Sequence, residues 1–393
     1  MIVLNVVLIG LTVGVKVARS VRERRTRSRL QKLESALDSS LAKGEIHPGL
    51  LRLDERDTDL LAILMIDYLS VLRGAERERL AGLAEESGLV KKYFLRLHAR
   101  SRWRKARAAE NLGYFGGPEA VGPLTGLLSH PDETVRAVAA RALARIGGPN
   151  AAEILARTLN DPSELTRLRM AENLERVGPL ATGPLMEALE SGDPRAQVLA
   201  ARILGSLRAA KAGPTLRQAM LGGVLTDVRA QAALALGRIG NPEDVPALQE
   251  AAEDEDWPVR AQIANALGMI GELSTVPTLQ KLSVDREWWV RLNASRALAN
   301  IGPAGERALA EILDGDDRFA RDRAATILEE RGIVRRVVEE LEAPGEKGAG
   351  ARAMVGAMVR AGAVKYLEHL ARTLPDEDVR AALARTMEEA RDS

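Results

Sequence analysis

Residues 119–148 read EAVGPLTGLLSHPDETVRAVAARALARIGG, and this stretch decides the fold. Its second half places Val135, Ala139, Ala140, Leu143 and Ile146 at successive steps of 4, 1, 3 and 3. That is the 3.6-residue period of a helix with one buried face. Asp132 stands just before this helix, where a carboxylate can cap free N–H groups. Gly147 follows it, where a left-handed residue closes a helix. Pro123 falls in the first turn of the preceding helix, where a missing N–H costs nothing.

The same unit returns every 29–32 residues. Ala196, Ala200, Ala201, Leu204 and Leu207 repeat the apolar steps, as do Val228, Ala232, Ala233, Leu236 and Ile239. Val259–Ile270 and Val290–Ile301 repeat them again. Gly116, Gly147, Gly178, Gly240, Gly271, Gly302 and Gly332 share the closing position, and Asp132, Asp256, Asp317 and Asp376 share the capping one. Nine units are legible over residues 101–393, the last three degraded. Such self-similarity marks a chain whose repeats bury a core only by stacking on their neighbours.

The motif D-x-x-V-R, an apolar helix and then I-G runs from Asp132 to Arg136 with Ile146–Gly147, and from Asp256 to Arg260 with Ile270–Gly271. Asp376–Arg380 has the opening without the ending. This pattern resembles the HEAT-like repeats, in the short form found in phycobilisome-lyase-type proteins. The resemblance implies an all-α fold: an α-α superhelix, with residues 101–393 as the repeats. The whole layout also looks like bacterial proteins with one amino-terminal span, a helical cap and cytoplasmic HEAT repeats. Such proteins are inferred to be accessory scaffolds, some of them for membrane glycosyltransferases.

Composition fits this reading. Hydrophobic residues make up 46% of 393 residues but aromatics only 3%. Ala and Leu favour helices, and strand formers are too sparse for a sheet protein. Residues 1–18, MIVLNVVLIGLTVGVKVA, are apolar enough to predict a transmembrane helix of roughly 27 Å at ~1.5 Å per residue. No basic residue precedes this run and no small-residue cleavage motif follows it, which argues against a signal peptide. Behind it come Lys16, Arg19, Arg22, Arg24, Arg25, Arg27, Arg29 and Lys32 against one acid, Glu23. Basic flanks stay in the cytoplasm, so the expected topology puts the amino terminus outside and the repeats inside. Residues 19–44 are expected to form a basic juxtamembrane helix and residues 45–100 a helical cap. The apolar run Leu60–Leu72 would be a buried cap helix. Leu30, Leu33, Leu37 and Leu41 would form either a short coiled-coil stripe or a packing face.

Two polar and aromatic features stand out within the repeats. Arg136, Arg167, Arg229, Arg260, Arg291, Arg321 and Arg380 form a ladder. Its pairing with a preceding Asp predicts structural ties more than a ligand groove. Three of the four Trp, namely Trp257, Trp288 and Trp289, fall with Phe319 near the starts of consecutive second helices. Trp257 and Trp288 occupy the same register, so they are expected to stack side by side at one rim. Tryptophan is enriched in interaction hot spots, and these four residues are the candidate protein-binding site, with inter-repeat packing as the rival reading. Trp103 lies among Arg100, Arg102, Arg104, Lys105 and Arg107. It can bind nucleic acid by stacking, or cover the junction of cap and repeats.

Catalytic signals are missing. The chain has no Cys, only four scattered His, no H-E-x-x-H and no phosphate loop. The expectation is a membrane-bound scaffold for membrane-associated protein partners, with no cofactor, no metal and no enzymatic activity. The alternatives are a lipid- or nucleic-acid-binding adaptor, or a HEAT-like DNA glycosylase or bilin lyase. Outside residues 16–32 the chain is net acidic, which disfavours a nucleic-acid groove.

Overall fold

The computed structural model describes residues 2–392, with side chains described for residues 23–392 apart from Ser70 and Ser191. The anchor expected over residues 1–18, with Lys16, Arg19 and Arg22, lies outside the described side chains. Among the described residues no helix is long and apolar enough to cross a membrane. Every regular element described is helical. The chain divides into two compact units, Met1–Thr158 with Pro162–Asn173, and Leu159–Asp161 with Leu174–Ser393.

The first unit opens with α1 (Ile2–Lys43), α2 (Glu55–Val71), α3 (Gly74–Glu86) and α4 (Leu89–Arg96). Asp54 starts α2 by accepting from the Asp57 N–H at 2.7 Å. Leu33, Ala36 and Leu37 of α1 are buried with Leu61 and Met65 of α2 and Leu80 of α3. The leucine stripe of α1 is therefore used to pack these helices on one another, and the coiled-coil alternative is not needed to cover it. The Tyr68 hydroxyl donates to Asp38 at 2.5 Å, and Arg79 donates to the Leu41 carbonyl at 2.8 Å, tying α1 to its neighbours. The run Leu60–Leu72 falls within α2, as its apolarity predicts, with Asp67 on the exposed side.

Paired helices follow: α5 (Arg102–Phe115), α6 (Val121–Gly126), α7 (Glu133–Ile146) and α8 (Pro149–Arg157), with α9 (Glu164–Val177) spanning the division at Asn173. α4 packs on α5, so helix pairing begins inside the segment assigned to the cap. The second unit contains α10 (Thr182–Ser191), α11 (Pro194–Ser206), α12 (Gly213–Gly222), α13 (Thr226–Ile239), α14 (Val245–Glu250), α15 (Trp257–Ile270), α16 (Val276–Ser283) and α17 (Trp288–Asn300). It ends with α18 (Pro303–Leu313), α19 (Arg318–Glu330), α20 (Ile333–Glu339), α21 (Glu346–Arg360), α22 (Lys365–Thr373) and α23 (Glu377–Asp392).

The periodic positions form the core. Ala139, Ala140 and Leu143 are fully buried, and so are Ala232, Ala233 and Leu236, and Ile263, Ala264 and Leu267. A second periodicity brings successive second helices unusually close. A Cβ added at Gly113 would lie 2.6 Å from Ala142 Cα, at Gly205 2.8 Å from Ala235 Cα, and at Gly237 2.5 Å from Ala266 Cα. At Gly268 it would lie 2.4 Å from Ala297 Cβ. Glycine on one helix facing alanine on the next thus forms a seam that no larger residue fits.

The helix signals hold with two exceptions. Asp132, Asp317 and Asp376 accept N–H groups of the first turns they precede. Asp256 makes no such cap; its carboxylate turns instead to Thr226 and Arg229 of the preceding repeat. Gly147, Gly178, Gly240, Gly271, Gly302 and Gly332 have positive φ. Gly116 is extended, at φ −76°, and glycine is required there by closeness: a Cβ would meet the Leu112 carbonyl oxygen at 2.6 Å.

Candidate functional site

The first turns of α13, α15, α17 and α19 set the candidate site in the second unit. Trp257 and Trp288 are the first residues of α15 and α17, and Phe319 is the second of α19. Within these first turns Val259 and Val290 point into the core, whereas the rings lie off that face and are open: Trp257 is 40% exposed, Trp288 42%, Trp289 54% and Phe319 69%. Val224 and Leu225, which precede α13, are exposed on the equivalent loop, although Thr226 holds the register of Trp257 and Trp288.

The expected stack of Trp257 on Trp288 is not formed. The ring that Trp288 meets is its chain neighbour Trp289, with centroids 4.5 Å apart and planes at 82°. A cation lies over the Trp288 ring: the Arg323 guanidinium of α19 is 4.9 Å from its centroid. Arg291 lies 5.4 Å from the Phe319 centroid in the same manner. Such guanidinium–ring contacts are weakly attractive at exposed sites.

The arginine ladder holds the loops that present these rings. Each ladder residue donates to a carbonyl five or six positions back. Arg136 reaches His130 at 2.9 Å, Arg229 reaches Gly223 at 3.0 Å, Arg260 reaches Asp254 at 2.8 Å and Arg291 reaches Asp285 at 2.9 Å. Arg167, Arg321 and Arg380 do the same with Pro162, Gly315 and Leu374. Two of them also grip the next repeat with a bidentate fork. Arg229 binds Asp254 at 2.8 and 3.0 Å, and Arg260 binds Asp285 at 2.7 and 3.0 Å. Asp254 and Asp285 in turn accept the N–H groups of Asp256 and Glu287, immediately before Trp257 and Trp288. The ladder is thus structural, and it positions the rim through these carboxylates.

The charges respond accordingly. Burial alone would push the Asp285 carboxyl up, but hydrogen bonds from Arg260 and the Glu287 N–H hold it below the usual carboxylate range. The Thr226 hydroxyl, followed by Arg229, holds Asp256 low against burial. Hydrogen bonding to Asp254 and Asp285 raises the Arg229 and Arg260 guanidiniums further above any working pH. Asp227, Glu255, Glu287 and Asp316 stand on the same loops and first turns, and among the described residues none of them forms a side-chain ion pair.

The basic residues expected to lie beside a membrane are not one uniform patch. Arg24, Arg25, Arg27 and Lys32 are exposed on α1. Arg29 turns inward and pairs with Asp54 at 2.8 Å and Asp57 at 3.0 Å, so it fastens α1 to α2. Trp103 is 67% exposed, with Arg102 5.4 Å from its ring. It lines a 430 Å³ cavity with Glu55 and Asp59 of α2, which places it at the junction of cap and repeats. Among the described residues no group of His, Asp or Glu is placed to hold a metal ion.

Sequence reading found the aromatic register but missed three parts of the site. The repeat spacing of Asp254 and Asp285, 25 residues after their arginines, was a legible signal for the ties. The Gly–Ala seam was legible as the glycine that follows the conserved-register leucine, as in Leu236–Gly237 and Leu267–Gly268. Nothing in the sequence marked Arg323 as the cation over Trp288.

A sequence comparison with characterised proteins gives no match. Among solved structures the chain is similar to an engineered protein, at 22% identity and TM-score 0.39, over 77% of this chain and 98% of that one. It is similar to the complex of CpcE and CpcF of phycocyanin lyase from Nostoc sp., at 22% identity and TM-score 0.36, over 61% of this chain and 94% of that one. It is also similar to the karyopherin Kap121p bound to the extreme C-terminus of the phosphatase Cdc14p, at 14% identity and TM-score 0.47, over 93% of this chain but 47% of that one. The HEAT repeats family model matches residues 92–175, 180–260 and 249–329, which together exceed half of the chain. The chain belongs to the HEAT repeat family.

Proposed function

We propose that this chain is a non-enzymatic, membrane-tethered scaffold that holds partner proteins on the rim formed by Trp257, Trp288, Trp289 and Phe319. One observation carries the reading: two successive repeats present half-open Trp257 and Trp288 in equivalent positions, on loops fixed by buried Arg–Asp forks, and the next repeat adds Phe319 one position further on. Large rigid rings kept at the surface by a preorganised frame bind with little loss of side-chain entropy. The apolar residues 1–18 and the basic residues behind them support a tether with the amino terminus outside and the repeats on the cytoplasmic side. A membrane enzyme complex, such as one built on a glycosyltransferase, is the class of partner this layout suits.

The test is a crosslinking pull-down of the full-length chain from native membranes. Three forms are compared: the natural chain, a form lacking residues 1–18, and Trp257→Ala with Trp288→Ala. The reading expects a stoichiometric membrane protein that is lost from both altered forms. Equal recovery with the double substitution would refute the rim as the binding site. Equal recovery without residues 1–18 would refute the tether.

A further inference from the structure

The loops and first turns of the rim carry more carboxylates than cations, and we infer that the segment it binds is an extended, cationic stretch of a partner protein bearing Arg or Lys. The inference rests on the rim being a protein-binding site and adds the chemistry of what binds.

The argument begins with the charges left over once the structural ties are satisfied. Arg229 and Arg260 are committed to Asp254 and Asp285 and to loop carbonyls, and Arg291 to the Asp285 carbonyl. Arg318 lies 3.9 Å from Asp322, and Arg323 lies over Trp288. Asp256 is taken by Arg229. What remains on these loops and first turns is Asp227, Glu255, Glu287 and Asp316 without ion-pair partners among the described residues, against Arg286, Arg321 and Arg323. Four carboxylates share the loops and first turns of α13, α15, α17 and α19 with four aromatic rings. A carboxylate beside an open ring face recognises an ammonium or guanidinium by charge and by the ring quadrupole together. The rim already shows this chemistry internally, because Arg323 and Arg291 each place a guanidinium over one of its rings. An anionic partner would meet the four carboxylates unscreened, and a neutral one would leave them unsatisfied.

The chain has four Trp, and three of them are in the rim. Trp103→Phe in the full-length chain therefore leaves tryptophan emission as a reporter of the rim alone. Three synthetic probes are titrated into it: peptides of alternating Arg and Ala, Gln and Ala, and Glu and Ala. About ten residues suffice, since at ~3.3 Å each they span three helix spacings of ~10 Å. The expected result is a saturable emission change with the Arg peptide only, weakened by salt. Glu255→Gln with Glu287→Gln should weaken it about tenfold without lowering the melting temperature. Trp288→Phe, which keeps a ring and so guards against misfolding, should retain most of the binding. Equal binding of the Gln or Glu peptide, or no loss with the two Gln substitutions, would overturn the inference while leaving the rim a binding site. Silence of the rim towards all three probes would overturn it too; the membrane pull-down then decides separately whether the rim binds protein at all.

Discussion

Arg260 holds Asp285, in the next repeat, through both carboxylate oxygens, at 2.7 and 3.0 Å, with the two side chains only 8% and 11% exposed. Asp285 simultaneously accepts the N–H of Glu287, one residue before Trp288. One buried fork therefore joins two repeats and sets the loop from which the rim projects. Removing Arg260 leaves a carboxylate buried without its partner, which costs about 3 kcal/mol or more. Arg260→Ala is expected to lower the unfolding free energy by that amount and to weaken partner recovery through Trp288. A change below about 1 kcal/mol in urea titration would show the fork to be dispensable.

The same fork predicts an acid response. The Asp285 carboxyl is held below its ordinary range, so between its folded pKa and the unfolded value near 4 the unfolded chain binds the extra proton. Its contribution is present above the unfolded pKa and is lost as pH falls through the folded one. Melting temperature should drop below about pH 4, and Asp285→Asn should flatten that part of the profile. Parallel profiles for the two proteins would contradict the assignment.

Tyrosine titration gives the opposite sign. A hydrogen bond to Asp38, then burial, pushes Tyr68 up to about 12; burial, then the charge of Asp59, pushes Tyr93 up to about 12. Their stabilising contribution is complete below the unfolded value near 10 and is lost as pH rises towards about 12. Ultraviolet difference titration should find Tyr68 and Tyr93 ionising late. Tyr68→Phe should leave one.

Alanine is the best helix former, and yet Gly237→Ala should destabilise. The propensity gain is about 1 kcal/mol, but the new Cβ would stand 2.5 Å from Ala266 Cα and 2.7 Å from Ala266 Cβ, where overpacking costs about 1–3 kcal/mol. Gly82→Ala in α3, where an added Cβ has nothing within 4 Å, is the control and should stabilise by about 0.5–1 kcal/mol. Denaturation midpoints that move in the same direction for both would refute the close seam.

Trp257 and Trp288 should matter to partners more than to folding. Both rings are about 40% exposed and neither belongs to the buried core. Trp257→Ala with Trp288→Ala is expected to change stability by about 1 kcal/mol or less. A loss of several kcal/mol in thermal denaturation would instead mark the rings as packing elements between repeats.

The sequence by itself determined the repeat architecture, because one buried helix face needs apolar residues at a fixed period and a chain of stacked units must restate that need every 29–32 residues. It also located the aromatic register and the ladder, since both ride on that period. Tertiary structure decided what those residues meet. Trp288 finds Trp289 and Arg323 and not Trp257, which depends on how each ring turns out of its first turn. Asp256 leaves its own helix for Arg229, and Asp285 is captured by Arg260, because only the stacking of repeats brings side chains 25 to 27 residues apart within hydrogen-bond distance. Gly237 recurs with the repeat, but that it serves closeness to Ala266 is decided by the facing helix, and Gly116 serves closeness to the Leu112 carbonyl at the end of its own helix.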